Sequence, residues 1–105
     1  MSEFNDIIKD SKPTLVDFFA TWCGPCKMQG PILEQVKNAV GDAANVIKID
    51  VDRNPEVSAR YRIQSVPTLI VFKDGEAVWR GAGVHQKDQL VAKLNEFIHD
   101  NKSDI

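Results

Sequence analysis

The stretch Thr14-Leu15-Val16-Asp17-Phe18-Phe19-Ala20 limits what this chain can fold into more than any other. It is short, almost wholly apolar, and rich in β-branched and aromatic residues, so it reads as a strand covered on both faces, the environment of a strand in a parallel sheet. Asp17 is its anomaly. A carboxyl between Val16 and Phe18 is costly to ionise in a buried strand, so it either sits at a sheet edge in water or carries a raised pKa.

The elements around this strand follow from pattern and punctuation. Ser2 caps a short helix bearing Phe4, Ile7 and Ile8 at helical spacing, and Ser11-Lys12-Pro13 stops it. After the strand, a helix from about Cys23 to Val40 carries Met28, Ile32, Leu33, Val36 and Val40 on one stripe, with Pro31 inside as an expected kink and Gly41 at its close. A second strand is predicted over Val46 to Val51, and Asn54-Pro55 opens a short helix to about Tyr61. Thr68 to Phe72 and Ala77 to Trp79 flank Lys73-Asp74-Gly75-Glu76, where Asp-Gly signals a hairpin. The last helix, about Lys87 to Asp100, aligns Leu90, Leu94, Phe97 and Ile98, with Val91 beside them. A right-handed crossover makes the first two strands parallel, and helices cover both faces of an α/β sandwich.

Length and charge bound the rest. The 105 residues are one domain's worth, read here as a single domain over residues 1–105. About 65% of the unfolded chain's surface can be buried at this size, so a core forms without disulfide staples. The formal charge is −2, with 43% hydrophobic and 27% charged residues, which places the chain among ordinary globular proteins. No basic run exceeds a pair, so the charge pattern offers nothing to nucleic acid or an anionic membrane. No apolar run approaches the ~20 residues of a membrane span. Residues 1–9 lack the pattern of a signal peptide, and a cytoplasmic protein is expected.

Both cysteines lie in Trp22-Cys23-Gly24-Pro25-Cys26, where the buried strand meets the long helix. Three chemistries use Cys-x-x-Cys. Zinc requires four ligands, and the only histidines, His85 and His99, are far along the chain, so no metal site is expected. A structural disulfide closing so short a loop contributes only ~2 kcal/mol. Redox chemistry suits the spacing best, because positions i and i+3 on a first helical turn bring the sulfurs within bonding range. At the helix N-terminus unpaired N–H groups and the positive dipole end favour a Cys23 thiolate, making it the nucleophile. Cys26, turned back into the first turn and expected to be less accessible to solvent, is the resolving thiol. Gly24 leaves room for a bulky substrate, and Pro25 pre-sets the turn.

These residues carry a resemblance. Val16-Asp17-Phe18, Ala20-Thr21-Trp22-Cys23-Gly24-Pro25-Cys26-Lys27-Met28, Pro31, Val66-Pro67-Thr68 and Lys73-Asp74-Gly75 together resemble the thioredoxin family over roughly residues 14 to 100. The resemblance implies the thioredoxin fold and a general reductase of protein disulfides. It implies no bound cofactor beyond the Cys23–Cys26 disulfide itself, with electrons coming from NADPH through a thioredoxin reductase. By the same match Asp17 looks like the family's buried aspartate beneath the resolving cysteine, moving a proton to or from it with a raised pKa. Lys48 resembles the lysine that tunes this carboxylate, against the alternative of a solvent-facing strand lysine, and Lys27 is either a source of positive potential or a plain surface lysine. Val66 and a cis Pro67 then offer backbone to an extended substrate, Gly83 resembles the glycine at the groove's rim, and Trp22 belongs to its apolar border.

The sequence also departs from that pattern. Only Met1 and Ser2 precede the first helix, so the family's leading strand is expected to be absent, leaving a mixed sheet of about four strands. The strand Val46 to Val51 is then a bare edge, where Lys48 and Asp50 discourage self-pairing, and a monomer is expected. Phe19 stands where many members carry a second tryptophan, leaving Trp22 and Trp79 as the indoles, and Gly30 before Pro31 has no assigned role. Competing readings are an oxidase or isomerase, disfavoured because no cationic side chain separates the cysteines, a thioredoxin-fold binding module whose cysteines do not turn over, and two chains sharing a metal or cluster.

Overall fold

The computed structural model describes residues 2–98. In chain order the elements are α1 (Ser2–Ile8), β1 (Thr14–Phe19), α2 (Gly24–Val40) followed by a 3-10 turn (Gly41–Ala43), β2 (Asn45–Asp50), α3 (Pro55–Arg60), β3 (Thr68–Lys73), β4 (Glu76–Ala82) and α4 (Lys87–Ile98). The cap expected of Ser2 and the end of the last helix at Asp100 lie outside the described residues and side chains.

The strands form one mixed sheet in the order β2-β1-β3-β4, with β1 parallel to β2 and antiparallel to β3. Central position explains the composition of β1. With strands on both sides and helices on both faces, Thr14 to Phe18 are all buried. Alternation sends Val16 and Phe18 to the face covered by Phe4 and Ile8 of α1 and Val57 of α3, and Leu15 to the face covered by Leu33 and Val36 of α2 and Leu90 and Leu94 of α4. Truncating fully buried Phe18 to alanine would cost about 3–5 kcal/mol. Because β1 has neighbours on both sides, Asp17 is not at a sheet edge.

The turn at Asp74 and Gly75 has positive φ at both residues, as the Asp-Gly signal requires of a two-residue hairpin. Its N–H groups are tied to the end of the first helix, Gly75 donating to the Ile8 carbonyl at 2.8 Å and Asp74 to the Asp10 carbonyl at 3.0 Å. Strand β4 runs from Glu76 to Ala82, longer than the Ala77 to Trp79 read from the sequence, because it pairs with β3 along its length while its side chains are largely exposed. Strand β2 is the open edge opposite β4, with Lys48 its exposed residue. Helix α2 continues through Pro31 to Val40.

The stripe on α2 is rotated from the expected one. Cys26, Gln29, Leu33 and Val36 are the buried residues, whereas Met28 is 64% exposed. Positions 26, 29, 33 and 36 follow one another at three- and four-residue steps, and Met28 lies one step outside them, below the half-buried Ile32. No helix among the described residues is long and apolar enough to cross a membrane.

Candidate active site

Strand β1 ends at Phe19, and Ala20, Thr21 and Trp22 lead to Cys23, the N-cap of α2. The chain therefore leaves the carboxyl end of the central strand directly into a helix N-terminus. Cys23 and Cys26 are joined as a disulfide with their Cα atoms 5.3 Å apart. The Cys26 N–H donates to Cys23 Sγ at 3.1 Å, the position a capping oxygen takes in an ordinary helix. A developing thiolate on Cys23 thus finds an N–H donor and the positive end of a 17-residue helix.

Exposure does not separate the sulfurs as the sequence reading expected. Cys23 is 4% and Cys26 6% exposed, and both sit in a small apolar cluster with Ala20 against Phe19, Val51 and Val66. What distinguishes them is electrostatic: Cys23 caps the helix and accepts its N–H, and Cys26 lies within the first turn.

The Val66–Pro67 peptide is cis, and the Val66 carbonyl oxygen lies 3.6 Å from Cys23 Sγ. On the far side of Pro67, its carbonyl accepts the Gly83 N–H at 2.8 Å. Gly83 has φ +84°, a conformation that favours glycine, and open space where a Cβ would stand. Trp22 is 71% exposed, not packed in the core, and its Nε1 donates to Asp52 Oδ2 at 2.9 Å. With Val51, Ile63, Gln64, Ser65 and Val66 it lines a hollow of about 330 Å³ beside the disulfide. Gly24 and Pro25 are exposed at the start of α2, and nothing lies within 4 Å of where a Gly24 Cβ would be. Lys27 is also exposed.

Asp17 is fully buried, and neither carboxylate oxygen has a hydrogen-bond partner. Desolvation pushes its pKa up from the ordinary 3.8 to about 6, and the Lys48 charge works in the opposite direction. The two residues are register partners across β1 and β2, so both side chains start from the face covered by α2. The Lys48 ammonium lies 4.7 Å from the Phe19 ring centroid and 3.8 Å from where a Gly30 Cβ would stand. Lys48 is therefore exposed and still electrostatically coupled to Asp17, and Gly30 is its neighbour. Cys26, one helical turn before Gln29, belongs to the same α2 stripe that covers this face.

Sequence reasoning missed Asp52, Gln29, Gly81 and His85. The signal for Gln29 was present as a polar residue four before Leu33 and seven before Val36, inside the stripe instead of beside it. For Asp52 and His85 no local signal exists, because their partners lie 30 and 56 residues away. Among the described residues no cluster of His, Cys, Asp and Glu is arranged to hold a metal ion.

Comparison with known proteins places this arrangement. The family model of thioredoxin matches residues 1–96. A thioredoxin-like protein of Synechocystis sp. is 52% identical over 87 residues, covering 83% of each chain. A thioredoxin of Staphylococcus saprophyticus is 46% identical over 97 residues, covering 92% of each. Among solved structures, a thioredoxin from Halobacterium salinarum superposes with a TM-score of 0.84 at 38% identity, covering 93% of this chain and 85% of that one.

Proposed function

The chain belongs to the thioredoxin family and is a thiol-disulfide oxidoreductase working by dithiol exchange through Cys23 and Cys26, and from that premise we propose how its residues divide the work. Cys23 is the nucleophile. Its thiolate attacks one sulfur of a substrate disulfide, forming a mixed disulfide and releasing the other substrate sulfur as a thiolate that takes up a proton. Cys26 then loses its proton and attacks Cys23 Sγ, which expels the second substrate thiol and leaves the Cys23–Cys26 disulfide. Two electrons pass to the substrate in each cycle.

The observation that carries this reading is the bond from the Cys26 N–H to Cys23 Sγ at the helix N-terminus, beside the Val66 carbonyl. Asp17 is the group that takes the Cys26 proton, since a carboxyl with a pKa near 6 is mostly ionised at neutrality, and so free to accept a proton, and is nearer a thiol in proton affinity than an ordinary carboxylate. Lys48 keeps that pKa from rising further. An extended substrate lies across the groove bordered by Trp22, Gly24 and Pro25 on one side and Val66, Pro67 and Gly83 on the other, pairing through backbone, so affinity depends little on side chains.

The substrates in this reading are protein disulfides, and the electrons come from NADPH through a thioredoxin reductase. The protein acts as a monomer and as one domain over residues 1–105, in the cytoplasm, where that donor system keeps thiols reduced.

The test is the reduction potential of the Cys23–Cys26 couple, read by mass after equilibration in graded thiol-disulfide buffers. A potential well below the glutathione couple is expected, and one above it replaces the reductase with an oxidase or isomerase. In parallel, Cys23→Ser abolishes turnover, whereas Cys26→Ser accumulates a mixed disulfide with substrate. Trapping by Cys23→Ser instead would reverse the two roles.

A further inference from the structure

Gln29 stands one turn after Cys26 on α2 and is wholly buried. Both ends of its amide are used on one distant residue. Nε2 donates to the His85 carbonyl at 2.9 Å, and Oε1 accepts the His85 N–H at 2.8 Å. The side chain thus pairs with the backbone of the loop between β4 and α4 as a neighbouring strand would.

That loop is held from a second direction by the His85 ring. Its Nδ1 lies 2.8 Å from the Gly83 carbonyl and must be the donor, since a carbonyl oxygen only accepts. The ring meets Trp79 edge to face with centroids 5.4 Å apart, and it lies over Gly81, where a Cβ would come within 2.7 Å of His85 Nε2. Gly83 in turn donates to the Pro67 carbonyl at 2.8 Å. From the helix that carries Cys26, the contacts therefore run through Gln29, His85 and Gly83 to Pro67, and so back to the disulfide.

An apolar residue at position 29 would complete the α2 stripe and bury as much surface. It would leave the His85 N–H and carbonyl without these partners and the loop without its link to the helix. We infer that Gln29 is a positioning residue, which fixes the β4–α4 loop relative to α2 so that the groove at Gly83 and Pro67 is built before a substrate arrives. The gain is pre-organisation: a strand-like substrate does not have to order the loop in order to bind. This rests on the reading of Val66, Pro67 and Gly83 as the substrate groove.

The test compares two substrates in Gln29→Leu, an extended disulfide-linked peptide and the small disulfide 5,5′-dithiobis(2-nitrobenzoic acid). For the peptide, KM rises about tenfold with kcat unchanged, while the small disulfide, which needs no groove, reacts within about twofold of the wild-type rate. The Cys23–Cys26 potential stays where it was, and the Gly83 and His85 amides exchange faster while those of β3 do not. A parallel loss on both substrates makes Gln29 a support of the whole site and overturns the inference, as does an unchanged peptide KM. Gln29→Met keeps an unbranched chain and gives the same comparison if the branched leucine unfolds the protein.

The groove itself is checked separately, by the amide shifts of Val66 and Gly83 in the mixed disulfide of Cys26→Ser with the same peptide. If they do not move, the groove reading fails and the inference with it. If they move and Gln29→Leu leaves KM unchanged, the groove stands and only the clamp is refuted.

Discussion

Replacing Asp17 with asparagine removes a buried charge while keeping the shape of the side chain and its lack of partners, so the difference between the two proteins isolates the cost of ionisation. In the folded protein the carboxyl titrates near 6 instead of 3.8. At ~1.4 kcal/mol per pH unit, that difference is about 3 kcal/mol. The sign follows from which state holds the proton more tightly. Because the folded state does, wild-type stability is undiminished below the unfolded pKa, falls as pH rises from 3.8 through about 6, and is flat above it. Asp17→Asn has no such loss, so the variant matches wild type at the acidic end and exceeds it by about 3 kcal/mol at pH ~8.

Urea denaturation of the oxidised protein measures this without interference from thiol titration, and the same gain raises Tm by roughly 12 °C or more in a chain of this size. With the proposed proton acceptor of Cys26 gone, the variant also turns over more slowly. A stability difference that is constant with pH, or that grows toward acid, refutes the desolvation argument. An equally fast variant removes Asp17 from the mechanism.

Two glycines separate packing from conformation. In Gly81→Ala the new Cβ stands 2.7 Å from both His85 and Trp79, so the urea midpoint falls by the equivalent of about 1–3 kcal/mol, whereas an unchanged midpoint shows that ring pair to be freely mobile. Gly24→Ala meets open space without a positive φ and shifts stability by less than about 0.5 kcal/mol, so a larger loss would mean that the start of α2 is tighter than described. Lys48→Gln removes the charge that lowers the Asp17 pKa, so the carboxyl titration followed by NMR moves above 6, and an unchanged titration would show that the two groups do not interact across their register position.

The parts of the fold that were legible in the sequence are those whose burial is periodic. The doubly covered strand at Thr14, the helices beginning near Cys23 and at Lys87, and the Asp74-Gly75 turn announce themselves because each is dictated by side chains within a few residues. The far end of β4 was not, because Arg80, Gly81 and Ala82 pair with β3 through backbone and offer no large apolar side chain to mark an inward face. Met28 was read as core for a related reason. A helical stripe is only about 100° wide, and a residue one step off its centre cannot be assigned until the neighbouring elements fix which side faces the sheet.

Asp17 and Gln29 are two buried polar residues facing the same layer between β1 and α2, and they violate the apolar pattern in opposite ways. Gln29 has both amide atoms satisfied by His85, so its burial is compatible with a rigid scaffold. Asp17 has neither oxygen satisfied, and holding it ionised uses about 3 kcal/mol out of a total stability on the order of 5–15 kcal/mol. Selection for stability alone would have placed valine or leucine there, as at Leu15 two residues earlier. In the roles proposed above, the satisfied exception positions a loop and the unsatisfied one is kept for what its proton does. The Asp17 exception was visible from the sequence because its strand neighbours are apolar, whereas that of Gln29 is recognised only when a partner 56 residues away closes on it.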